Sequence, residues 1–176
     1  MEIDIRDLTK TIQKSTVLSH VNLHLEGGRV YGLRGQNGSG KTMLMRCICG
    51  LIAPTQGSVT INGETLGKDL SFPRSVGVLI ENPAFLEQYT GYKNLEMLAA
   101  IQNRIGEKEI RETLETVGLD PDDKRKYRKY SLGMKQRLGI AAAIMEKPDV
   151  IILDEPINAL DESGVLEVRG ILEREK

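Results

Sequence analysis

The sequence has 176 residues, 40% of them hydrophobic, which suits one globular domain with a buried core. Its formal net charge of −1 excludes a bulk electrostatic attraction to nucleic acid or to an anionic membrane. The amino terminus lacks the basic and apolar layout of a signal peptide, and the longest run of apolar and glycine residues, 138–145, is too short to span a bilayer. We therefore expect a cytoplasmic protein.

The amino-terminal part is predicted to be rich in β-structure. Alternating apolar residues predict a strand from Ile3 to about Leu8, a second at Val17–Leu25 and a third at Val30–Leu33. His20 and His24 fall on the second strand, where their spacing of roughly 13 Å is too long for one metal ion. We expect both imidazoles to face solvent.

Residues 35–42 fill every fixed position of the phosphate-binding pattern G-x-x-x-x-G-K-[S/T]. Its glycines let the backbone N–H groups point at phosphate oxygens, Lys41 supplies a positive charge, and the Thr42 hydroxyl is placed to ligate Mg²⁺. A helix predicted at Met43–Cys49 adds its partial positive charge. A glycine-rich hairpin turn would not need the Lys-Thr pair. The predicted phosphate contacts are Gly35, Gln36, Asn37, Gly38, Ser39, Gly40, Lys41 and Thr42.

The two cysteines lie on this predicted helix. Cys47 and Cys49 are two residues apart, so they face different sides of the helix and cannot jointly bind a metal or pair. We predict that they are small buried side chains.

The rest of the chain alternates strands with helices. Strands are predicted at Ser58–Ile61, with a hairpin turn at 62–63, and at Val76–Ile80 and Val150–Leu153. Helices are predicted at 92–103, at 107–117 with a capping Gly118, at about 132–146, and at the end of the chain. We therefore predict a single α/β domain over 1–176, with a helical subdomain at 83–147.

A pair of carboxylates follows the last predicted strand. Ligand chemistry in α/β sheets gathers at the carboxyl ends of strands, so Asp154 is expected to hold Mg²⁺ directly or through water. Glu155 is the candidate catalytic residue, placed to polarise a water towards the γ-phosphate. A surface turn is the alternative for an Asp-Glu-Pro sequence.

The segment between these two sites carries a third motif, Tyr130-Ser131-Leu132-Gly133-Met134-Lys135-Gln136. Together with the phosphate loop and the Asp-Glu pair, it resembles the ATP-binding-cassette (ABC) ATPases, over nearly the whole chain. The motif form resembles bacterial drug, peptide-antibiotic and lantibiotic-immunity exporters. The resemblance implies a P-loop NTPase fold with a mainly parallel core sheet, an antiparallel β subdomain and a helical subdomain.

The resemblance also implies cofactors and partners. ATP and Mg²⁺ would lie between two copies of the cassette, and separately encoded membrane permease subunits would hold the dimer at the inner face of the membrane. Ser131 is a good helix cap, and Gly133 leaves N–H groups accessible at a helix amino end. Residues implied to contact the nucleotide of the second copy are Ser131, Leu132, Gly133, Met134, Lys135 and Gln136.

Several positions depart from the family pattern. Glu81 stands where the family usually has a glutamine that touches Mg²⁺, and Ile12 stands where an aromatic residue usually stacks on adenine. Residues 158–161 resemble the loop that crosses the dimer interface. The family continues with a strand and a histidine that contacts the γ-phosphate, so we expect a carboxyl-terminally truncated cassette whose intact parent hydrolyses ATP.

Two other function classes are open. A non-transport ABC protein of the translation-factor type would carry a second cassette in tandem. A GTPase or small-molecule kinase would not explain the motif at 131–136, and no Asn-Lys-x-Asp guanine-reading element occurs.

The basic run at 124–129 predicts a solvated face, with an ATP or partner contact as the alternative. The two tyrosines nearby, Tyr127 and Tyr130, are too few to predict nucleic-acid binding.

Overall fold

The computed structural model describes residues 1–158, 160 and 162–174, without the side chain of Ser163. The chain divides into two compact units, one formed by Met1–Ser75 and one that begins at Val76. The strands of the described residues are β1 (Glu2–Ile12), β2 (Ser15–Glu26), β3 (Gln56–Ile61), β4 (Glu64–Thr65), β5 (Val76–Leu79) and β6 (Val150–Leu153). The helices are α1 (Lys41–Ile48), α2 (Gly91–Gln102), α3 (Glu107–Thr116), α4 (Leu132–Ile144) and α5 (Glu162–Arg174).

The first unit is built on an antiparallel sheet in the order β2-β1-β3-β4. On the central strand β1, Ile3 lies opposite Ile61 and Ile5 lies opposite Val59. These four side chains are buried, because residues two apart on a strand share one face. The alternation that predicted strands here is therefore confirmed.

The third predicted strand, Val30–Leu33, is wrong. Residues 29–36 have no regular secondary structure, and Val30, Tyr31 and Leu33 are exposed. A strand needs a neighbour to accept and donate its backbone hydrogen bonds, and within the described residues neither sheet includes this segment. The apolar composition of a short run cannot reveal whether such a neighbour is present.

The second unit is built on two parallel strands covered by helices. Strands β5 and β6 pair in register from Val76 opposite Val150 to Leu79 opposite Leu153. Helix α4 packs closely on β5: a Cβ added to Gly77 would lie 1.7 Å from the carbonyl oxygen of Ala143. The core contains Leu95 of α2, Ile110 and Leu114 of α3, Leu138 and Ile140 of α4, and Val168 and Ile171 of α5.

The predicted helices of this unit are confirmed, and their ends follow from local chemistry. The hydroxyl of Thr90 accepts a hydrogen bond from the N–H of Lys93 at the start of α2, and Gly118 takes a positive φ of 73° just after α3. Helices α2, α3 and α4 lie within 83–147, but the assignment of that stretch as a subdomain stays a prediction. Among the described residues, no helix is long and apolar enough to cross a membrane.

Candidate functional site

The phosphate-binding motif forms an exposed loop that leads into α1 of the first unit. Residues 35–39 are exposed, so their backbone can be reached by a ligand. The Nζ of Lys41 donates hydrogen bonds to the carbonyl oxygens of Gly35, at 2.8 Å, and of Gln36, at 2.9 Å. The ammonium group therefore lies against the loop at which the sequence predicts that it binds phosphate.

The backbone of the loop depends on glycine. Gly40 caps α1 with φ 93°, a left-handed conformation that is strained for other residues. A Cβ at Gly40 would also lie 2.8 Å from Cδ2 of Leu18 and 2.9 Å from the carbonyl oxygen of Val17. Gly38 has φ 80° but faces open space. The tight approach of the loop to β2 thus requires glycine at position 40.

Ile12, the residue at the predicted adenine position, ends strand β1 and lies opposite Ser15. Its side chain is 41% exposed, which leaves an apolar surface for a base. A contact between Ile12 and adenine stays a prediction.

The predicted carboxylates of the second unit follow neighbouring strand ends. Because Leu79 lies opposite Leu153 in the parallel pair, Glu81 after β5 and Glu155 after β6 emerge at the same edge. The N–H of Asp154 donates to the carbonyl oxygen of Leu79 at 2.7 Å, which extends the pairing by one residue. Asp154 is buried and Glu155 is exposed. The edge therefore carries three acidic residues, and carboxylate oxygens are ligands that Mg²⁺ prefers.

Two of these residues have unusual backbone conformations. Glu81 has φ 63° and Glu155 has φ 47°, in the left-handed region that non-glycine residues adopt rarely. At Glu155 the next residue is Pro156, which favours an extended conformation in the residue before it. Strained residues of this kind concentrate at functional sites.

The third motif lies at the start of α4, as predicted. The Oγ of Ser131 accepts a hydrogen bond from the N–H of Met134 at 3.2 Å, which is the N-cap arrangement. Leu132 is 65% exposed, so the amino end of the helix presents an open surface. The Nζ of Lys135 lies 4.9 Å from the ring centroid of Tyr127 in a cation–π contact.

Gln136, the last motif residue, lies inside the second unit. Its side chain is buried, and its Nε2 donates to the carbonyl oxygens of Glu155, at 3.4 Å, and Pro156, at 3.2 Å. A nucleotide contact by Lys135 or Gln136 stays a prediction. In the structure both side chains contact this chain's own residues.

Asn158, the first residue of the predicted interface loop, contacts the candidate catalytic residue. The Nδ2 of Asn158 donates to Oε2 of Glu155, and its backbone N–H donates to the carbonyl oxygen of the same residue. This contact was not predicted from the sequence. Within the interface loop that the sequence predicts at 158–161, Ala159 and Asp161 lie outside the described residues.

The remaining candidates behave as ordinary structural residues. Cys47 and Cys49 are buried as predicted, and burial raises the pKa of Cys49 to about 11, so this thiol is inert at neutral pH. His20 and His24 lie on β2 with exposed side chains, as predicted. The basic side chains of the run at 124–129 are exposed as predicted, at Lys124, Arg125, Lys126, Arg128 and Lys129.

Comparisons with known proteins identify the family of this chain. The family model described as ABC transporter matches residues 18–158. An uncharacterised ABC transporter ATP-binding protein, YybJ of Bacillus subtilis (strain 168), is 52% identical over 99% of this chain and 80% of its own length. The bacitracin transport ATP-binding protein BcrA of Enterococcus faecalis is 43% identical over 98% of this chain. The chain spans only 56% of the length of BcrA.

A solved structure gives the same result at the level of the fold. The bacterial ABC transporter cassette MJ0796, solved as a dimer, is 25% identical and superposes with a TM-score of 0.86. The match covers 97% of this chain and 81% of that chain. The predicted P-loop NTPase fold is therefore confirmed.

Proposed function

This chain belongs to the ABC transporter family, and we propose that it binds Mg·ATP and couples ATP hydrolysis to export through separate membrane subunits. One observation carries the proposal: the glycine loop at 35–39 is exposed and leads through Gly40 into α1, with Lys41 folded against it. Backbone N–H groups at a helix amino end, next to an ammonium group, are suited to bind phosphate.

Lys41 has a defined role in this proposal. In the structure its ammonium group bonds to two loop carbonyl oxygens, which keeps a positive charge beside the loop. A phosphate oxygen is a stronger acceptor because it is charged, so the ammonium would turn to the β- and γ-phosphates when they bind. The glycines, with no Cβ, leave room for the close approach.

The residues fit Mg²⁺ by the chemistry of their donors. Thr42 offers a hydroxyl, and Glu81 and Asp154 offer carboxylates, all of them hard oxygen ligands. Bound with the nucleotide, Mg²⁺ would neutralise charge on the β- and γ-phosphates. Asp154 is held at the end of β6 by its hydrogen bond to Leu79, so its carboxylate starts from a fixed backbone position.

Glu155 is the proposed catalytic residue. Its exposed carboxylate can accept a proton from a water or hold that water in line for attack. The exposed amino end of α4, capped by Ser131, would bind the γ-phosphate held by a second copy of the cassette. The ability of the cassette MJ0796 to form a dimer supports this arrangement.

The membrane partner and the substrate are further parts of the proposal. We place the chain at the inner face of the cell membrane, bound to permease subunits encoded separately, and assign it to antibiotic export because BcrA is named for bacitracin transport. The names of both relatives support transport over the translation-factor alternative.

The experiment is a nucleotide titration of the wild type and of Lys41→Ala. Loss of the ammonium removes a charge-assisted contact, so we expect Mg·ATP to bind roughly 10–100-fold more weakly. Lys68→Ala removes an equally positive side chain from an exposed turn of the same unit and should bind like the wild type. Equal affinity of Lys41→Ala and the wild type would reject the assignment of the phosphate site.

A further inference from the structure

Gln136 makes a connection that the nucleotide-binding role of its motif does not explain. It is one of three buried polar or charged side chains of the described residues, with Asn94 and Asp154. Its Nε2 reaches the carbonyl oxygens of Glu155 and Pro156, which lie 19 and 20 residues further along the chain. Leaving a buried amide donor without a hydrogen-bond partner costs free energy, so these two bonds fix where the Glu155–Pro156 turn lies relative to α4.

The turn that Gln136 holds is a strained one. Glu155 combines a left-handed φ of 47° with a following proline, two features that oppose one another for a residue with a side chain. Strain of this kind persists only where surrounding contacts hold it. The Gln136 amide supplies such contacts to the backbone, and the Nδ2 of Asn158 donates to the Glu155 carboxylate.

We infer that Gln136 is a positioning residue for Glu155: its buried amide holds the strained Glu155–Pro156 backbone so that the carboxylate is correctly aimed. The inference rests on the proposed function. It also links two parts of the reaction, because Gln136 lies one turn into the helix whose amino end carries Ser131. A shift of α4 when that end binds phosphate would be passed to Glu155 through two hydrogen bonds.

The variant that tests this is Gln136→Glu, which keeps the shape of the side chain and replaces the donating nitrogen by an oxygen. That oxygen would face two carbonyl oxygens and repel them. Asn94→Asp is the matched control, because Asn94 is also a buried amide whose Nδ2 donates to two carbonyl oxygens, those of Leu86 and Thr90. Both variants disturb the same unit, but only Gln136→Glu disturbs the turn.

The first measurement needs no nucleotide. The N–H of Asn158 bonds to the carbonyl oxygen of Glu155, so its hydrogen exchange reports on the turn. We expect this amide to exchange at least ~10-fold faster in Gln136→Glu and to be unchanged in Asn94→Asp, because only the first variant opens the turn. Unchanged exchange in Gln136→Glu would overturn the inference while leaving the proposed function intact.

The second measurement is ATP turnover by the full-length protein. Misplacement of a reacting group by about 1 Å costs on the order of 100-fold, so kcat should fall by roughly 10–100-fold in Gln136→Glu with the affinity for ATP retained. If Gln136 acts through Glu155, adding Gln136→Glu to Glu155→Gln should change the residual rate less than twofold, or about 0.4 kcal/mol. If Gln136→Glu lowers the residual rate of Glu155→Gln by as large a factor as it lowers the rate of the wild type, Gln136 has a general structural role instead.

Discussion

The phosphate loop of the first unit and the carboxylate turn of the second unit both need a left-handed backbone, and they obtain it differently. The loop places glycine at such positions, with φ 80° at Gly38 and 93° at Gly40. The turn places there Glu155, the residue that we propose to be catalytic, with φ 47°. The conformation of the glycine loop therefore follows from its own residues, whereas that of the turn depends on contacts with residues elsewhere in the second unit.

Alanine at the two loop glycines is expected to have the largest effect on stability. A left-handed alanine costs about 1–2 kcal/mol, so Gly38→Ala should lose that much unfolding free energy. Gly40→Ala adds a clash with the Val17 carbonyl oxygen, and overpacking costs a further ~1–3 kcal/mol. Denaturant unfolding measures the difference, and equal losses in the two variants would show that the space around Gly40 is not limiting.

Capping of the helices gives the next largest effect. Ser131 caps α4 and Thr90 caps α2, with the same hydrogen-bond length of 3.2 Å. Loss of either cap should lower the unfolding free energy by about 1 kcal/mol. Only Ser131→Ala should also weaken ATP-dependent dimerisation of the full-length protein, measured by light scattering of a Glu155→Gln background. The same weakening in Thr90→Ala would remove Ser131 from the nucleotide interface.

The strain at Glu155 predicts a smaller effect of opposite sign. Glu155→Gly relieves the strain of a left-handed residue, but glycine loses more backbone entropy on folding than glutamate does. The first effect is the larger, so the unfolding free energy should rise by about 0.5–1 kcal/mol while turnover is lost. Glu155→Gln loses the same charge but keeps the strain, and should not gain stability. A fall in stability of Glu155→Gly would mean that the carboxylate contact with Asn158 outweighs the strain.

The same contrast explains how much could be predicted from the sequence. The loop could be predicted because its glycines, Lys41 and Thr42 are adjacent in the chain. The conformations of Glu81 and Glu155 could not, since glutamate has no preference for positive φ, and the partners of Gln136 are distant in sequence. The prediction of a strand at Val30–Leu33 was wrong for a related reason, because a strand is defined by a neighbouring strand as well as by its own residues.

The smallest predicted effect on stability concerns the solvent-facing side of the antiparallel sheet in the first unit. There the effect depends on charge and not on backbone conformation. The Nδ1 of His24 lies 3.0 Å from Oδ1 of Asp4, its partner across β1 and β2. This hydrogen bond is the main cause that raises the pKa of His24 and lowers that of Asp4. Glu2 and Glu26 on the same face raise the pKa of His24 further.

The sign of the pH dependence follows from these two shifts. The contribution of His24 to stability is complete below its unfolded pKa of 6.5 and is lost as pH rises through the raised folded value. That of Asp4 is complete above 3.8 and is lost as pH falls through the lowered folded value. The pair should therefore stabilise the sheet most between pH 3.8 and 6.5, where both contributions are complete.

Asp4→Asn tests this pair directly, with the pKa of His24 followed by NMR titration. Removing the largest cause should bring the pKa of His24 down towards 6.5, and Glu2→Gln, which removes only a more distant charge, should lower it less. Because the side chain of His24 is exposed and that of Asp4 is only partly buried, the effect on unfolding should be small and should shrink as salt is added. An equal fall in both variants would mean that the general field of the acidic face, and not the hydrogen bond across the strands, sets the pKa of His24.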